Sequence, residues 1–335
     1  MRAFVITGPR AASVVEVPRP AAGRGQVVVD VELAGVCGTD AEFYSGEMAY
    51  LRSREAAYPI RIGHEWCGVV SAVGEGVDPT WLGRRVTGDT MLGCGTCVRC
   101  RDGRQHLCAT RHEVGIRGGW PGALAEQVPM PVRALQPLPD AVDPVAGALV
   151  EPGANALRAV AAAGLVPGAR LLVVGPGTIG LLVALFARAA GASVSLLGVD
   201  AGSLRFARSL GFADVFTTGS EPPDGFDAVV DASTGPEVPA LALDLVEPGK
   251  RVVYIGLSEP PSMVDTRTVV LRDLTVTGVL SGSGGLAGVV ERYASGEVDP
   301  RPLVATTVGL DGVADVLAGG RPAGGAPKVL VDPRR

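Results

Sequence analysis

Residues 171–180 constrain the fold more than any other stretch. Leu171-Leu172-Val173-Val174 is a short apolar run that leads directly into Gly175-Pro176-Gly177-Thr178-Ile179-Gly180, and an apolar helical pattern follows from Ile179 to Ala190. A glycine turn that leaves a strand and opens a helix allows a tight reversal, close approach of a pyrophosphate, and close helix–strand packing. The helix N-terminus adds an anion site. Gly175, Gly177, Thr178, Ile179 and Gly180 are therefore candidate dinucleotide contacts. Beyond the turn, β runs at Val194 to Leu197, Ala228 to Val230, Arg251 to Ile255 and Leu274 to Thr277 are interleaved with helical stretches such as Leu204 to Leu210. That alternation predicts a doubly wound α/β domain over 154–281, with a parallel sheet and crossover helices.

The first 153 residues read differently. Gln26 to Leu33 and Cys67 to Gly74 are β-rich runs separated by turn clusters, which predicts a β-rich first domain. A helical segment at Gly285 to Ala294 and a closing strand at Lys328 to Val331 form a C-terminal segment over 282–335, free to rejoin either half. Length agrees with two domains, since 335 residues stand against about 150 per domain. With 30 basic against 35 acidic side chains and no basic cluster, nucleic acid is excluded as a partner. The apolar stretch Leu171 to Ala187 is broken by the glycine turn and is too short to span a bilayer. The first residues, from Met1 to Gly8, lack the apolar run of a signal peptide, which predicts a cytoplasmic protein.

Six cysteines in such a chain point to metal rather than disulfides. Cys94, Cys97, Cys100 and Cys108 fall within fifteen residues, the spacing of a closed tetrahedral zinc site, in a lobe at about 90–112. A closed site has no position for substrate, so its role is structural. His106, between the third and fourth cysteines, reads as a surface residue, and Cys67 as strand packing. A second set, Cys37, His64 and Glu65, offers the thiolate, imidazole and carboxylate of an open, catalytic zinc. Adjacent residues of a regular strand point to opposite faces, so His64 and Glu65 share one ion only if the chain bends at Gly63. Otherwise Glu65 stands behind the ligands and Glu151, placed where a cleft between the halves would lie, takes the inner place.

The tip of the second strand of the α/β half selects the nicotinamide cofactor, because an acid there binds the ribose 2′-hydroxyl and repels a 2′-phosphate. Same-face counting ends on Gly198, with Asp200 two residues later. Gly198 with Ser203 and Arg205 leans toward NADP, whereas Asp200 moved into the loop would restore NAD.

In this order the motifs resemble the zinc-dependent medium-chain dehydrogenase/reductase family, nearly end to end. The resemblance implies a GroES-like β-rich catalytic domain, completed by the C-terminal segment, with a Rossmann domain of doubly wound parallel sheet between. It implies two zinc ions per chain: one at Cys37, His64 and Glu65 with Glu151 as ligand or near-ligand, and one at the four-cysteine lobe. It further implies that Thr39 passes on the substrate hydroxyl's proton. Many relatives carry a histidine five residues after the ligand cysteine; Glu42 stands there in this chain, as a substitute relay or a sign of another path. Relatives are dimers or tetramers, which implies the same here.

Tyr44, Tyr50 and Tyr58, with Glu47, Arg52 and Arg54, follow soon after Cys37 and form a candidate wall for a hydroxylated substrate. The phrases Gly63-His64-Glu65-Trp66 and Gly83-Arg84-Arg85-Val86-Thr87-Gly88-Asp89 look like those of cyclitol and aminocyclitol dehydrogenases. The expected activity is hydride transfer between NAD(P) and a secondary alcohol, in the form of a polyol, sugar or cyclitol. The rivals are a zinc-free enone or quinone reductase of the same superfamily and a non-catalytic NAD(P)-binding sensor.

Overall fold

The strand Gln26–Gly35 organises the N-terminal half. Valines and Leu33 bury along it while Asp30 stays in solvent, and it pairs antiparallel with Glu65–Val73, Gln127–Pro131 and Lys328–Val331. In the computed structural model, which describes residues 1–217, 219–220, 222, 225–320 and 324–335, these strands belong to a seven-stranded sheet. Its main path runs Val304–Val308, Lys328–Val331, Gln26–Gly35, Glu65–Val73, Arg85–Gly88, Leu135–Pro137. Phe4, Phe43, Ile62 and Trp66 are fully buried in the core that the sheet encloses. At the end of the central strand, Gly35 pairs with Glu65 on one side and Leu330 on the other. That register brings the residues just before Cys37, just after His64 and just after Lys328 to one place.

The chain divides into two compact units. The first comprises Met1–Ala154, Ser281–Arg321 and Lys328–Arg335; the second comprises Asn155–Leu280 and Pro322–Pro327. Within the second, a six-stranded parallel sheet has the order Val215–Thr217, Ser193–Gly198, Arg170–Val174, Phe226–Asp231, Val246–Tyr254, Thr275–Gly278. Numbered along the chain this is 3-2-1-4-5-6, the doubly wound order. The expected α/β architecture with a second, β-rich part is what the chain adopts. Its inner strands read as continuous apolar runs, Leu171 to Val174 and Ala228 to Val230, because both faces of a parallel sheet are covered.

Among the helices not expected from the sequence are Val150–Ala163, Val238–Leu245 and Thr266–Leu271. The first has Pro152 in its opening turn, where the missing N–H is one that no helix satisfies internally. Glu151 consequently lies on a helix, not in a connection. The helix Ala201–Ser209 starts a turn earlier than its apolar pattern, since Asp200 caps it by accepting from the Ser203 N–H. Among the described residues, no helix is long and apolar enough to cross a membrane.

Candidate active site and metal centres

Cys37, one residue beyond the end of the central strand, is the N-cap of the helix Gly38–Ser45. Asp40, in the first turn of that helix, reaches back: the Cys37 N–H donates to its Oδ2 at 2.9 Å and the Gly63 N–H to its Oδ1 at 3.2 Å. A single fully buried carboxylate thus ties together the segments that carry Cys37 and His64, with Oδ1 3.9 Å from His64 Nδ1. Asp40 was not singled out from the sequence, although a Cys-x-x-Asp at a helix start is the spacing of a side chain that reaches back to its N-cap. Gly63 has φ 100°, and a Cβ there would lie 2.6 Å from the Leu124 amide nitrogen. The strand begins only at Glu65, so His64 precedes it and the alternation of faces does not separate the two side chains.

Cys37, His64 and Glu65 each present a ligand atom, and all three atoms lie within 4.8 Å of one another. His64, Glu65 and Glu151 are buried. Thr90 Oγ1 donates to Glu151 Oε1 at 3.3 Å and lies 3.4 Å from the His64 carbonyl, which places Glu151 beside the cluster. Burial disfavours a charged imidazole at His64, but the Cys37 thiol that hydrogen-bonds it, with Asp40 and Glu151, outweighs burial and lifts it well above its ordinary value. Burial likewise raises Asp40, against the pull of His64 and the Cys37 N–H. A sulfur and buried carboxylates gathered around a buried imidazole make a site that calls for a cation, and thiolate, imidazole and carboxylate are the set that zinc takes. The chemistry of these residues fits the ion.

Glu65 Oε2 also accepts from Lys328 Nζ at 2.6 Å, with both side chains 2% exposed. Removing one partner of such a pair costs about 3–5 kcal/mol, because the other charge is left buried alone. Thr39 and Glu42 lie three residues apart on the helix Gly38–Ser45 and hence on one face. Burial raises the Glu42 carboxyl, Glu47 adds to the rise and Arg52 opposes it.

The tyrosine segment is not an open polar wall. Tyr58 Oη donates to the Phe43 carbonyl at 2.5 Å. Tyr50 Oη donates to Glu113 Oε1 at 3.2 Å and accepts from Arg111 at 3.3 Å, while Tyr44 packs against the core. Arg52 is turned onto the Glu47 carbonyl at 2.9 Å. The Tyr50 and Tyr58 hydroxyls and the Arg52 guanidinium brace the loop, and the expectation that they face substrate is corrected for these three. The phrase Gly83 to Asp89 is scaffold too. Arg85 pairs with Glu32 at 2.7 Å, Thr87 Oγ1 donates to the Trp66 carbonyl at 2.6 Å, and Asp89 accepts from Gln105 and Ser283 at 2.7 and 2.9 Å.

The sulfurs of Cys94, Cys97, Cys100 and Cys108 lie within 4.8 Å of one another. The Cys94–Cys100 separation is 3.9 Å, against about 3.8 Å for the edge of a tetrahedron with Zn–S bonds of about 2.3 Å. The Cys97 N–H points at Cys94 Sγ at 3.3 Å and the Cys94 N–H at Cys108 Sγ at 3.4 Å. Hydrogen bonds from Thr96 and from the Cys97 N–H hold Cys94 down at about 5, the thiolate state that metal binding needs. His106 is buried rather than on the surface, because the turn Gln105–Leu107 rotates its ring inward and Leu107 outward; it is not in the four-cysteine cluster. Cys67 packs on its strand as expected, fully buried with its thiol pushed up by desolvation.

In the second unit, Gly175 has φ 94° and a Cβ on Gly180 would meet the Gly175 carbonyl at 2.0 Å, so the turn closes only with glycine at both. Gly177 caps the helix Thr178–Ala189 without a side-chain bond, and the space its Cβ would take is open. The Thr178 and Ile179 amides thus open a helix whose N-terminus suits a phosphate. At the tip of the next strand a Cβ on Gly198 would lie 2.7 Å from Pro176 Cδ. Asp200 is turned into its own helix, accepting from the Ser203 N–H at 2.6 Å and Oγ at 2.9 Å; Arg205 is exposed one turn on.

Comparison with known proteins adds a second line. Residues 23–140 match the alcohol dehydrogenase GroES-like domain and 178–295 the zinc-binding dehydrogenase domain. An L-threonine 3-dehydrogenase of Saccharopolyspora erythraea is 34% identical over 291 residues, 83% of each chain. A Sinorhizobium meliloti protein described as a zinc-binding dehydrogenase and solved with NADP is 30% identical, with TM-score 0.88 over 99% of each chain. The RspB protein of Escherichia coli solved with NADH is 26% identical, with TM-score 0.89 over 99% of each chain.

The double tether made by Asp40 generates a prediction. Asp40→Ala frees the Cys37 and Gly63 amides and should weaken retention of the more labile metal by about 10- to 100-fold, measured as competition with a chromogenic chelator. Unchanged retention in a folded variant would show that Asp40 does not set the site.

Proposed function

The chain belongs to the zinc-dependent medium-chain dehydrogenase/reductase family, and on that premise we propose that it moves hydride between NAD(P) and a secondary alcohol or the corresponding ketone. The observation that carries the reading is the convergence of Cys37, His64 and Glu65 ligand atoms within 4.8 Å, with buried Glu151 beside them through Thr90, in the same unit as the four-cysteine cluster. A zinc ion at the first cluster would lower the pKa of a hydroxyl toward neutrality and polarise a carbonyl in the reverse direction, while the nicotinamide exchanges hydride. Cys37 and His64 hold that ion, with Glu65 or Glu151 completing the set. Thr39 accepts the substrate proton at its hydroxyl, and Glu42 on the same helix face carries it on. Its raised carboxyl suits a relay that must both take and release a proton. Cys94, Cys97, Cys100 and Cys108 hold a second, structural zinc.

We assign Gly175, Gly177, Thr178, Ile179 and Gly180 to the pyrophosphate and favour NADP over NAD. Support comes from Gly198 at the strand tip, from Asp200 being spent on its helix cap, and from Arg205 one turn on. For substrate we propose a polyol, sugar or cyclitol. The threonine dehydrogenases among the relatives favour a second reading, a β-hydroxy amino acid. A reducing cytoplasm agrees with six cysteines that stand outside any disulfide.

Reduced-nicotinamide absorbance, with NAD and NADP side by side against polyols, sugars, cyclitols and L-threonine, tests the reading. Turnover should appear with one substrate class and should fall by orders of magnitude in Cys37→Ser with its melting temperature kept. Cys94→Ser should instead lower the melting temperature. Equal turnover in Cys37→Ser and parent would exclude a catalytic metal, and reduction of enones alone would favour the zinc-free rival.

We also propose a homo-oligomer, a dimer or tetramer. The strand Thr275–Gly278 is an edge of the parallel sheet, and Val270, Leu271, Val276 and Leu280 are exposed on and around it. An unpaired edge with exposed apolar side chains is a surface that a second copy covers. Light scattering should give two or four chain masses, and a single chain mass at micromolar concentration would contradict the assignment.

A further inference from the structure

Lys328 is a buried ammonium in the closing strand, and none of the sequence motifs included it. Its Nζ donates to Glu65 Oε2 at 2.6 Å and to the Val36 carbonyl at 3.0 Å. Val36 precedes Cys37 and Glu65 follows His64, so this one cation touches the chain neighbour of Cys37 and that of His64. Strand pairing fixes it there. The Val36 N–H donates to the Val329 carbonyl at 3.0 Å, and Leu330 pairs with Gly35, whose other partner is Glu65. Gly35 leaves the room that the carboxylate uses: a Cβ on it would lie 2.2 Å from Glu65 Oε2. Glu65 is therefore folded across Gly35 onto Lys328.

A catalytic zinc keeps three protein ligands and one position for substrate. Cys37, His64, Glu65 and Glu151 together would fill all four. We propose that Lys328 is a positioning residue that keeps the fourth position open, by holding the Glu65 carboxylate and withholding it from the metal. Cys37, His64 and Glu151 then form the inner set, and substrate takes the place that Glu65 would otherwise occupy. This inference rests on the reading of Cys37 and His64 as metal ligands, and it assigns the choice between the two glutamates to a residue of the C-terminal strand. The opposite case, a lysine that merely knits the sheet, makes predictions of opposite sign.

The test uses the full-length enzyme loaded with cobalt in place of zinc, with the Cys37→Ser spectrum subtracted to remove the four-cysteine site. Lys328→Met should keep two metals per chain. Its d–d absorption should weaken as Glu65 adds to the coordination shell, metal release to a chelator should slow, and KM should rise about tenfold because substrate must displace the carboxylate. Lys328→Met with Glu65→Gln, which removes both charges, should return the spectrum and the release rate to those of the parent. Faster release in Lys328→Met, or a spectrum identical to the parent's, overturns the proposal. If Lys328→Met does not fold, the double variant decides alone: a parent-like cobalt spectrum supports the proposal, and an altered one means that Glu65 is itself an inner ligand. A parent that holds only one metal per chain would instead overturn the metal reading beneath it.

Discussion

Buried charge at the end of one strand is the constraint on which the rest depends. Asp40, His64, Glu65, Glu151 and Lys328 are all buried around the point where Gly35 gives way to Cys37, and an uncompensated charge there would be costly. Lys328 answers Glu65, two amides answer Asp40, and the Cys37 sulfur and Glu151 remain beside His64. That remaining excess of anionic donors is a reason for the fold to bind a cation. The segments that supply these groups are distant in sequence: pairing of Gln26–Gly35 with Glu65–Val73 and Lys328–Val331 brings Glu65 and Lys328 to its end, and the helix Val150–Ala163 supplies Glu151.

The two candidate metal clusters are built in contrasting ways. The four-cysteine lobe is local: fifteen residues fold on themselves, with backbone N–H groups aimed at sulfur. Gly93 is needed because a Cβ there would lie 2.6 Å from Cys100 Sγ. Four like ligands close such a site, which suits a structural role. The cluster at Cys37 is non-local and chemically mixed, and its carboxylates outnumber the places left for them. A mixed, overfull set is one in which position, more than identity, decides which group binds.

Local features were the legible ones. The strand, turn and helix around Gly175 and the cysteine spacing are each contained in a short window, and the alternation after Ala154 fixed the parallel sheet. Helices with weak or interrupted patterns escaped, as with Pro152 in the first turn of Val150–Ala163. Asp40 and Lys328 escaped for a different reason. An aspartate near a cysteine and a lysine in a four-residue strand look like solvated side chains until the three strands come together and leave them no solvent. The tyrosines after Cys37 misled in the other direction, because a run of hydroxyls suggests a wall for substrate, and only their hydrogen bonds to Phe43, Glu113 and Arg111 show them bracing the loop.

We propose that one chain carries two zinc ions in sites of different kind. Anomalous diffraction from crystals of the purified protein, collected on both sides of the zinc absorption edge, tests it directly. Two peaks per chain are expected: one enclosed by the sulfurs of Cys94, Cys97, Cys100 and Cys108, and one bound by Cys37 Sγ and the His64 ring. A single peak in the cysteine lobe, from protein never exposed to chelator, would contradict it.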